Sequence, residues 1–284
     1  MTTLVRLIGV MDDGTEVVLW TSAPPSPPIP PVTDVGKWGI VVQDVRLRTE
    51  PTITAPFIRL LKHGTIGQIS TQDIEQPDYV WWEVTSPYKG YSAAQRTNGT
   101  DVYWLEFIPP DDHWLPVPYV SQLGSDALAP YDCGQACVLM LHRYYYPIGR
   151  DYTPDLLSKL EYGKTTAQEL VHLGSQLLPA LQLTYADMSA QGFLAWLRTA
   201  LVARPVIALV DYKMLGLVDH LAGGTDQGLH WLVIIGYSAV GDYFTVHDPL
   251  WSPAQREGLG GALIKLNANT LLGAMVWNTP NVVY

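Results

Sequence analysis

The two cysteines of this 284-residue chain lie four residues apart, in the run APYDCGQACVLMLHRYYYP at residues 129–147. A cysteine can form a disulfide, bind a metal, fill a core or act as a nucleophile. Side-chain directions within one helix rarely allow an i, i+4 disulfide. A metal site needs three or four ligands, and His142 does not share one helix face with Cys133 and Cys137. A buried role and a nucleophilic role remain.

The position of each cysteine in the predicted helix separates these two roles. The helical spacing begins at Cys133 and stops at Pro147. A helix N-terminus carries partial positive charge and free N–H groups, which favour a thiolate. We expect Gly134 to leave room beside the sulfur for a substrate carbonyl, and the Cys133 N–H to be available as an oxyanion donor. Cys133 is therefore the candidate nucleophile, whereas Cys137 is expected to be a buried hydrophobe.

A nucleophile needs a base and a group that orients the base. Among seven histidines, His230 opens the apolar run of QGLHWLVIIGY, where a polar ring requires a hydrogen-bond partner. The following strand, YFTVHDPL, ends at Asp248, and a hairpin joined near Gly241 would bring Asp248 beside His230. His247 should point to the opposite face, because side chains alternate along a strand. The alternative makes His230 structural and His220 or His247 the base.

The segments around these residues predict an α+β layout. TTAQELVHLGSQLL and SAQGFLAWLRTALVA have amphipathic helical spacing, with Thr and Ser as N-caps. PVIALVDY, LHWLVIIGY and DYFTVHDPL are strands apolar enough to be buried on both faces. Helices followed by an antiparallel sheet are typical of the α+β class.

The first 110 residues have a different pattern. Residues 1–22 contain two short strands around Asp13-Gly14, a hairpin turn signal. Such a hairpin is unstable alone, so we expect it to pair with another domain or another copy. Residues 23–35 are proline-rich and form a stiff linker. Residues 36–110 show short strands between turn residues, which predicts a small β-barrel.

Composition limits the possible partners and locations. The formal net charge of −10 argues against nucleic-acid binding. No apolar run reaches the roughly 18 residues of a transmembrane helix. The N-terminus meets acidic residues early and lacks a signal-peptide core. The compartment is open, with an extracellular, cell-wall or phage-associated location as the expectation.

Two family resemblances refine this interpretation. The order VRLRTEP, IRLLKHGTIGQI and VWWEVTSPYKGYSAA resembles a bacterial SH3-like domain. This resemblance implies a module that holds cell-wall peptides or a partner chain, with a plain spacer as the alternative. The order VPYVSQ, DCGQACVLMLHRYY, GLHWLVIIGY and FTVHDP resembles the bacteriocin-processing, or double-glycine peptidase-like, branch of the papain-like cysteine peptidases. It covers residues 115 to about 277 and implies a papain-like domain over residues 111–284.

The second resemblance also implies roles for individual residues. It matches Cys133 to the nucleophile, His230 to the base, Asp248 to the orienting acid and Gln122 to the oxyanion-hole glutamine. Gln122 lies eleven residues before Cys133, further than is usual, so the intervening segment must loop out. Gln135 is the second candidate for the oxyanion donor. No metal or organic cofactor is implied, and leader-peptide processing is not implied either, because no transporter part accompanies the domain.

Three functions follow as hypotheses. The first is a cysteine endopeptidase, a hydrolase that acts on a peptide or protein substrate. The second is a peptidoglycan hydrolase that uses the same triad, with the SH3-like domain as the wall binder. The third is a non-enzymatic attachment or assembly protein. The presence of Cys133, His230 and Asp248 together argues against the third, because a degenerate copy usually loses one of them.

Overall fold

A computed structural model shows two antiparallel sheets of eight and seven strands, together with a separate N-terminal hairpin. The helices accompany the seven-stranded sheet. In the segments 8–10, 16–18 and 185–187 only the backbone is described. The structure describes residues 8–10, 16–18, 37–107, 113–123, 132–147, 165–177, 185–187, 192–216, 228–238, 240–250, 260–275 and 281–284.

The N-terminal strands β1 (Ile8–Val10) and β2 (Glu16–Val18) pair antiparallel in a sheet of their own. Within the described segments they pair only with each other. The turn predicted at Asp13-Gly14 and the proline-rich linker of residues 23–35 lie outside the described residues. Pairing of this hairpin with another domain or copy therefore stays a prediction.

The eight-stranded sheet occupies residues 37–107 and curls around its own small core, which includes Val41, Leu47, Trp81 and Trp104. Its strand order is β10-β3-β6-β8-β9-β4-β5, with β7 beside β8. This order leaves β5 and β10 unjoined, so the described strands do not form a closed barrel, and the SH3-like domain stays an interpretation of the sequence. The strands are β3 (Lys37–Val41), β4 (Val45–Arg48), β5 (Phe57–Leu61), β6 (Ile66–Ile69), β7 (Ile74–Glu75), β8 (Tyr79–Ser86), β9 (Gly90–Arg96) and β10 (Trp104–Phe107).

The seven-stranded sheet has the order β12-β17-β13-β14-β15-β16, and β11 pairs with β14. Its strands are β11 (His113–Trp114), β12 (Tyr185–Asp187), β13 (Val206–Asp211), β14 (Leu229–Ser238), β15 (Tyr243–His247), β16 (Ile264–Asn267) and β17 (Asn281–Val283). The helices are α1 (Cys133–Tyr145), α2 (Ala167–Leu177), α3 (Phe193–Leu201) and α4 (Ala268–Ala274). Helices combined with an antiparallel sheet give the α+β class that the sequence predicts.

Alternation along β14 explains why this sheet has helices on both faces. Trp231, Val233 and Ile235 pack into one core with α1 and α2. Leu232 and Ile234 pack into a second core with α3 and α4. All five side chains are buried, which confirms the prediction of a strand covered on both faces.

Local capping chemistry accounts for the start of α2. In α2, Thr166 and Glu169 form a capping box, since Thr166 Oγ1 accepts from Glu169 N at 3.3 Å and Glu169 Oε2 accepts from Thr166 N at 2.6 Å. The serine cap predicted for α3 is wrong. That helix begins after Gly192, whose φ of 87° is a left-handed conformation that a serine rarely adopts. No helix in the described part of the chain is both long and apolar enough to cross a membrane.

The two large sheets share a core. Ile40 and Ile66 of the first sheet pack in the same cluster as Val117 and Tyr119, which precede the second. The Tyr119 N–H donates to the Gly64 carbonyl at 2.9 Å. Gly64 has a φ of 80°, and a Cβ there would collide with the Tyr119 carbonyl. The β5–β6 turn therefore supports the segment that leads to the candidate site.

Candidate active site

The β14–β15 hairpin brings His230 and Asp248 together. Its antiparallel register pairs Val233 with His247, so Asp248, one residue further, lies toward the start of β14. His230 Nε2 donates to Asp248 Oδ1 at 2.7 Å. Both side chains are buried, so solvent screens their interaction little.

The Asp248 carboxylate is held by three donors. Oδ1 accepts from His230 and from the Leu250 N–H at 2.9 Å, and Oδ2 accepts from the Tyr212 hydroxyl at 2.6 Å. Its backbone is also fixed, because its N–H donates to the Gly261 carbonyl at 2.8 Å and its carbonyl accepts from the Tyr119 hydroxyl at 3.2 Å. The carboxylate therefore has one defined orientation toward His230.

Tyr212 is a part of this site that the sequence reasoning missed. It follows β13, in which Val210 pairs with His230, and it begins a 3-10 turn at Tyr212–Leu215. Its ring meets the His230 ring edge-on, with centroids 5.0 Å apart. The available signal was a tyrosine at the end of the buried strand PVIALVDY, where a hydroxyl needs a partner.

Cys133 is the first residue of α1, and α1 packs against β14. Its side chain is half-buried, and its thiol lies near enough to His230 to contribute to the raised pKa of that ring. Because Nε2 of His230 is engaged with Asp248, Nδ1 is the ring nitrogen left for the sulfur. Burial lowers the pKa of His230, but Asp248 and then Cys133 outweigh it and raise that pKa to about 10. The surroundings of His230 therefore favour its protonated form.

Cys137 lies one turn further along α1 and is fully buried, as the sequence predicts. Burial raises the pKa of its thiol well above the ordinary value, with the nearby Cys133 and Asp248 adding to the shift. The two cysteines are not bonded to each other. Over the residues that the structure describes, no group of three or more His, Cys, Asp or Glu side chains could hold a metal ion.

The expectation for Gly134 needs correction. Gly134 is buried, and a Cβ there would collide with Thr165 Oγ1 and lie 2.7 Å from Leu170 Cδ2 and 3.3 Å from Trp231 Cδ1. The space beside Cys133 on this side is filled by protein. The glycine lets α1 pack closely against the start of α2 and against β14.

The two candidate oxyanion glutamines are both fully buried. The Gln122 N–H donates to the Pro249 carbonyl at 3.0 Å, so this residue lies beside the Asp248–Pro249 corner. The loop expected between Gln122 and Cys133 falls on residues 124–131, outside the described residues. Gln135 lies in the first turn of α1. The oxyanion role of Gln122 stays a prediction.

The alternative bases separate into two cases. His220 lies outside the described residues. His247 points away from Asp248, as alternation predicts: its Nε2 donates to the Val117 carbonyl at 2.8 Å, and its Nδ1 accepts from the Leu263 N–H at 3.1 Å. Burial lowers the pKa of His247 to about 4. This ring is a neutral link between main-chain groups.

The site therefore combines a buried His–Asp pair with a cysteine at a helix N-terminus, in a mixed helix and antiparallel-sheet fold. The model of the Peptidase_C39 like family matches residues 114–259, which is more than half of the chain. The chain therefore belongs to the Peptidase_C39 like family.

Two solved structures are similar to the chain. A crystal structure assigned as a C39-like peptidase from Bacillus anthracis is 17% identical, with a TM-score of 0.41, over 61% of this chain and 98% of that one. The peptidase domain of Streptococcus ComA, a bi-functional ABC transporter of a quorum-sensing pathway, is 16% identical, with a TM-score of 0.34, over 57% of this chain and 93% of that one. A comparison with curated proteins found no match.

Proposed function

We propose that the protein is a cysteine endopeptidase with Cys133 as nucleophile, His230 as base and acid, Asp248 as the group that orients His230, and Gln122 as an oxyanion donor. The observation that carries the proposal is the buried His230–Asp248 pair, 2.7 Å apart, together with a thiol at the first position of α1 that helps to raise the pKa of His230. Membership of the Peptidase_C39 like family supports the same class of activity.

Acylation follows from the charges of this group. The raised pKa of His230 favours a thiolate–imidazolium pair between Cys133 and His230. The sulfur attacks the carbonyl carbon of the substrate peptide bond, forming a C–S bond and an oxyanion. The Cys133 N–H at the helix N-terminus and the Gln122 amide are the proposed donors to that oxyanion. As the C–N bond breaks, His230 gives its proton to the departing amine.

Deacylation reverses the role of the ring. His230, now neutral, takes a proton from a water molecule, which attacks the acyl carbon of the thioester. The C–S bond breaks, the carboxylic acid product leaves, and the proton on His230 restores the starting pair with Cys133. Asp248 holds the ring through Nε2 in both steps, so Nδ1 keeps facing the sulfur.

A peptidoglycan hydrolase that uses the same triad is the second candidate. The observation in its favour is a group of exposed apolar side chains on and beside the edge strand β5, the kind of surface that binds another molecule: Ile53, Phe57, Ile58 and Leu60. Co-sedimentation of the full chain with isolated cell walls tests it. We expect a Phe57→Ser, Ile58→Ser variant to lose such binding. Equal binding by the variant and the wild type would count against wall binding by this surface.

Reaction with iodoacetamide at neutral pH tests the nucleophile. We expect Cys133 to be alkylated at least about tenfold faster than Cys137, because Cys133 is half-buried near His230, whose pKa is raised, whereas burial raises the pKa of the Cys137 thiol. Intact mass followed by peptide mapping measures the ratio. Cys133→Ala should also abolish hydrolysis of a peptide library, with Cys137→Ala as the matched control. Preferential labelling of Cys137 in the folded protein would overturn the assignment.

A further inference from the structure

The Tyr212 hydroxyl and the Asp248 carboxylate form the shortest hydrogen bond at the candidate site, at 2.6 Å to Oδ2. Both residues are fully buried. The other carboxylate oxygen faces His230. Tyr212 therefore lies on the far side of Asp248 from the ring that Asp248 orients.

The fold fixes the place of this hydroxyl. Val210 pairs with His230 across the β13–β14 ladder, and Tyr212 lies two residues further along, so alternation puts it on the same face. The Tyr212 N–H donates to the Gly228 carbonyl at 2.8 Å, which extends the ladder past the strand end. The ring also packs edge-on against His230. Its backbone and its ring are both held.

The hydroxyl remains a donor at all physiological pH values. Burial raises the pKa of Tyr212 far above its ordinary value, and the charge and hydrogen bond of Asp248 raise it further. A hydrogen bond from a neutral donor to a buried carboxylate stabilises the charged form. Among the described residues Tyr212 is the donor to Oδ2 of Asp248, and a buried carboxylate oxygen that loses its donor is costly.

We propose that Tyr212 is a positioning residue that holds the Asp248 carboxylate oriented toward His230, so that Tyr212 extends the Cys133–His230–Asp248 group to four residues. This inference rests on the proposed cysteine peptidase function. Tyr212 acts through Asp248 and His230 and is not assigned a contact with substrate.

Among the described residues, few titratable groups face the Tyr212–Asp248–His230–Cys133 group. Asp248, Cys133 and the Tyr212 ring face His230. His230, Tyr212 and the Tyr119 hydroxyl surround Asp248, the last at its main-chain carbonyl, and the buried Cys137 thiol lies near both Asp248 and Cys133. Tyr119 thus offers a matched control, because it is also a buried tyrosine that donates to Asp248, but not to the carboxylate.

The test compares Tyr212→Phe with Tyr119→Phe in the full chain, with the rate of Cys133 alkylation by iodoacetamide measured from pH 4 to pH 10. A weaker Asp248 lowers the pKa of His230 and so raises the pH at which the thiolate forms. We expect the half-maximal pH to rise by about one unit in Tyr212→Phe, as loss of a hydrogen bond to a buried charge predicts, and to rise by much less in Tyr119→Phe, because the Tyr119 hydroxyl meets only the main chain of Asp248. In an Asp248→Asn background, Tyr212→Phe should add little, because the two act through one group.

Each other outcome has a distinct meaning. If the alkylation rate of wild-type Cys133 depends on pH like that of a free thiol, and His230→Ala does not change this dependence, the peptidase function itself is overturned. If the half-maximal pH of alkylation is low in the wild type, and His230→Ala raises it but Tyr212→Phe does not, the peptidase function stays in place and the role of Tyr212 is overturned. Equal shifts in Tyr212→Phe and Tyr119→Phe, or a Tyr212→Phe protein that does not fold while Tyr119→Phe does, would overturn it too, since Tyr212 would then serve stability alone.

Discussion

His230 and His247 lie on neighbouring strands of one sheet, are both fully buried, and have opposite properties. His230 faces a carboxylate and a thiol, and its pKa is raised to about 10. His247 faces the Val117 carbonyl and the Leu263 N–H, and burial lowers its pKa to about 4. The surroundings of one ring favour the cation, and those of the other favour the neutral form.

The difference shows that the partner of a buried histidine, and not burial alone, decides its charge. Burial disfavours the imidazolium in both rings. The charge of Asp248 reverses that effect for His230, whereas main-chain dipoles do not reverse it for His247. The same sheet therefore separates a ring suited to proton transfer from a ring suited to linking the strand to its neighbours.

The largest expected effect is on the rate of reaction at Cys133. We expect His230→Ala to slow peptide hydrolysis by about 10²–10⁴-fold, because the base and its positive charge are lost. His247→Ala should slow it by less than about tenfold at a temperature where the variant is folded. Steady-state hydrolysis and Cys133 alkylation, measured side by side, give both ratios.

If His247→Ala slowed peptide hydrolysis more than His230→Ala, the contrast between the two rings would be wrong and His247 would be the base. Melting temperature alone does not discriminate between them. His230→Ala leaves the Asp248 carboxylate buried without its countercharge, so this variant is also expected to be destabilised.

A smaller effect is expected on stability when His247 is replaced. His247→Ala removes a buried ring and leaves the Val117 carbonyl and the Leu263 N–H without their partner. We expect the free energy of unfolding to fall by about 2–4 kcal/mol, measured by urea denaturation at pH 7. His172→Ala is the control, since His172 is exposed on α2 and its loss should cost under about 0.5 kcal/mol. Equal losses in the two variants would contradict a linking role for His247.

Much of this site could be predicted from local patterns in the sequence. The helical run after Cys133, the apolar run after His230 and the turn near Gly241 each predict an element, and strand alternation then separates Asp248 from His247. These inferences need only short-range periodicity and one hairpin. The structure has the same hairpin, with Gly241 between β14 and β15.

The features that were missed or wrong depend on contacts between distant segments. Tyr212 reaches Asp248 only because β13 pairs with β14, and no local pattern gives that pairing. The surroundings of Gly134 depend on where α2 packs. The shared core of Ile66 and Tyr119 likewise requires the docking of one sheet on the other. Such tertiary contacts override or supplement what local periodicity indicates.

Per pH unit, the smallest expected effect is on the pH dependence of stability, where the two histidines should act in separate windows with opposite signs. Between about pH 4 and 6.5, His247 is neutral in the folded state and protonated when unfolded. The unfolded state then binds more protons, so the contribution of His247 to stability falls as the pH falls through this window. Between 6.5 and about 10, His230 is protonated in the folded state and neutral when unfolded. Its contribution is full below 6.5 and is lost as the pH rises toward 10.

Urea unfolding from pH 4 to pH 10 measures both contributions as differences between variants, which cancels the background of the acidic groups. His247→Gln should reduce the slope of stability against pH below 6.5 by up to about 1.4 kcal/mol per pH unit, the limit for one proton, and should leave the slope above 6.5 unchanged. His230→Gln should flatten the slope above 6.5 and leave the slope below it unchanged. If His247→Gln changed the alkaline slope, or if both variants changed the same window, the two rings would share one environment and the contrast between the two faces of the sheet would fail.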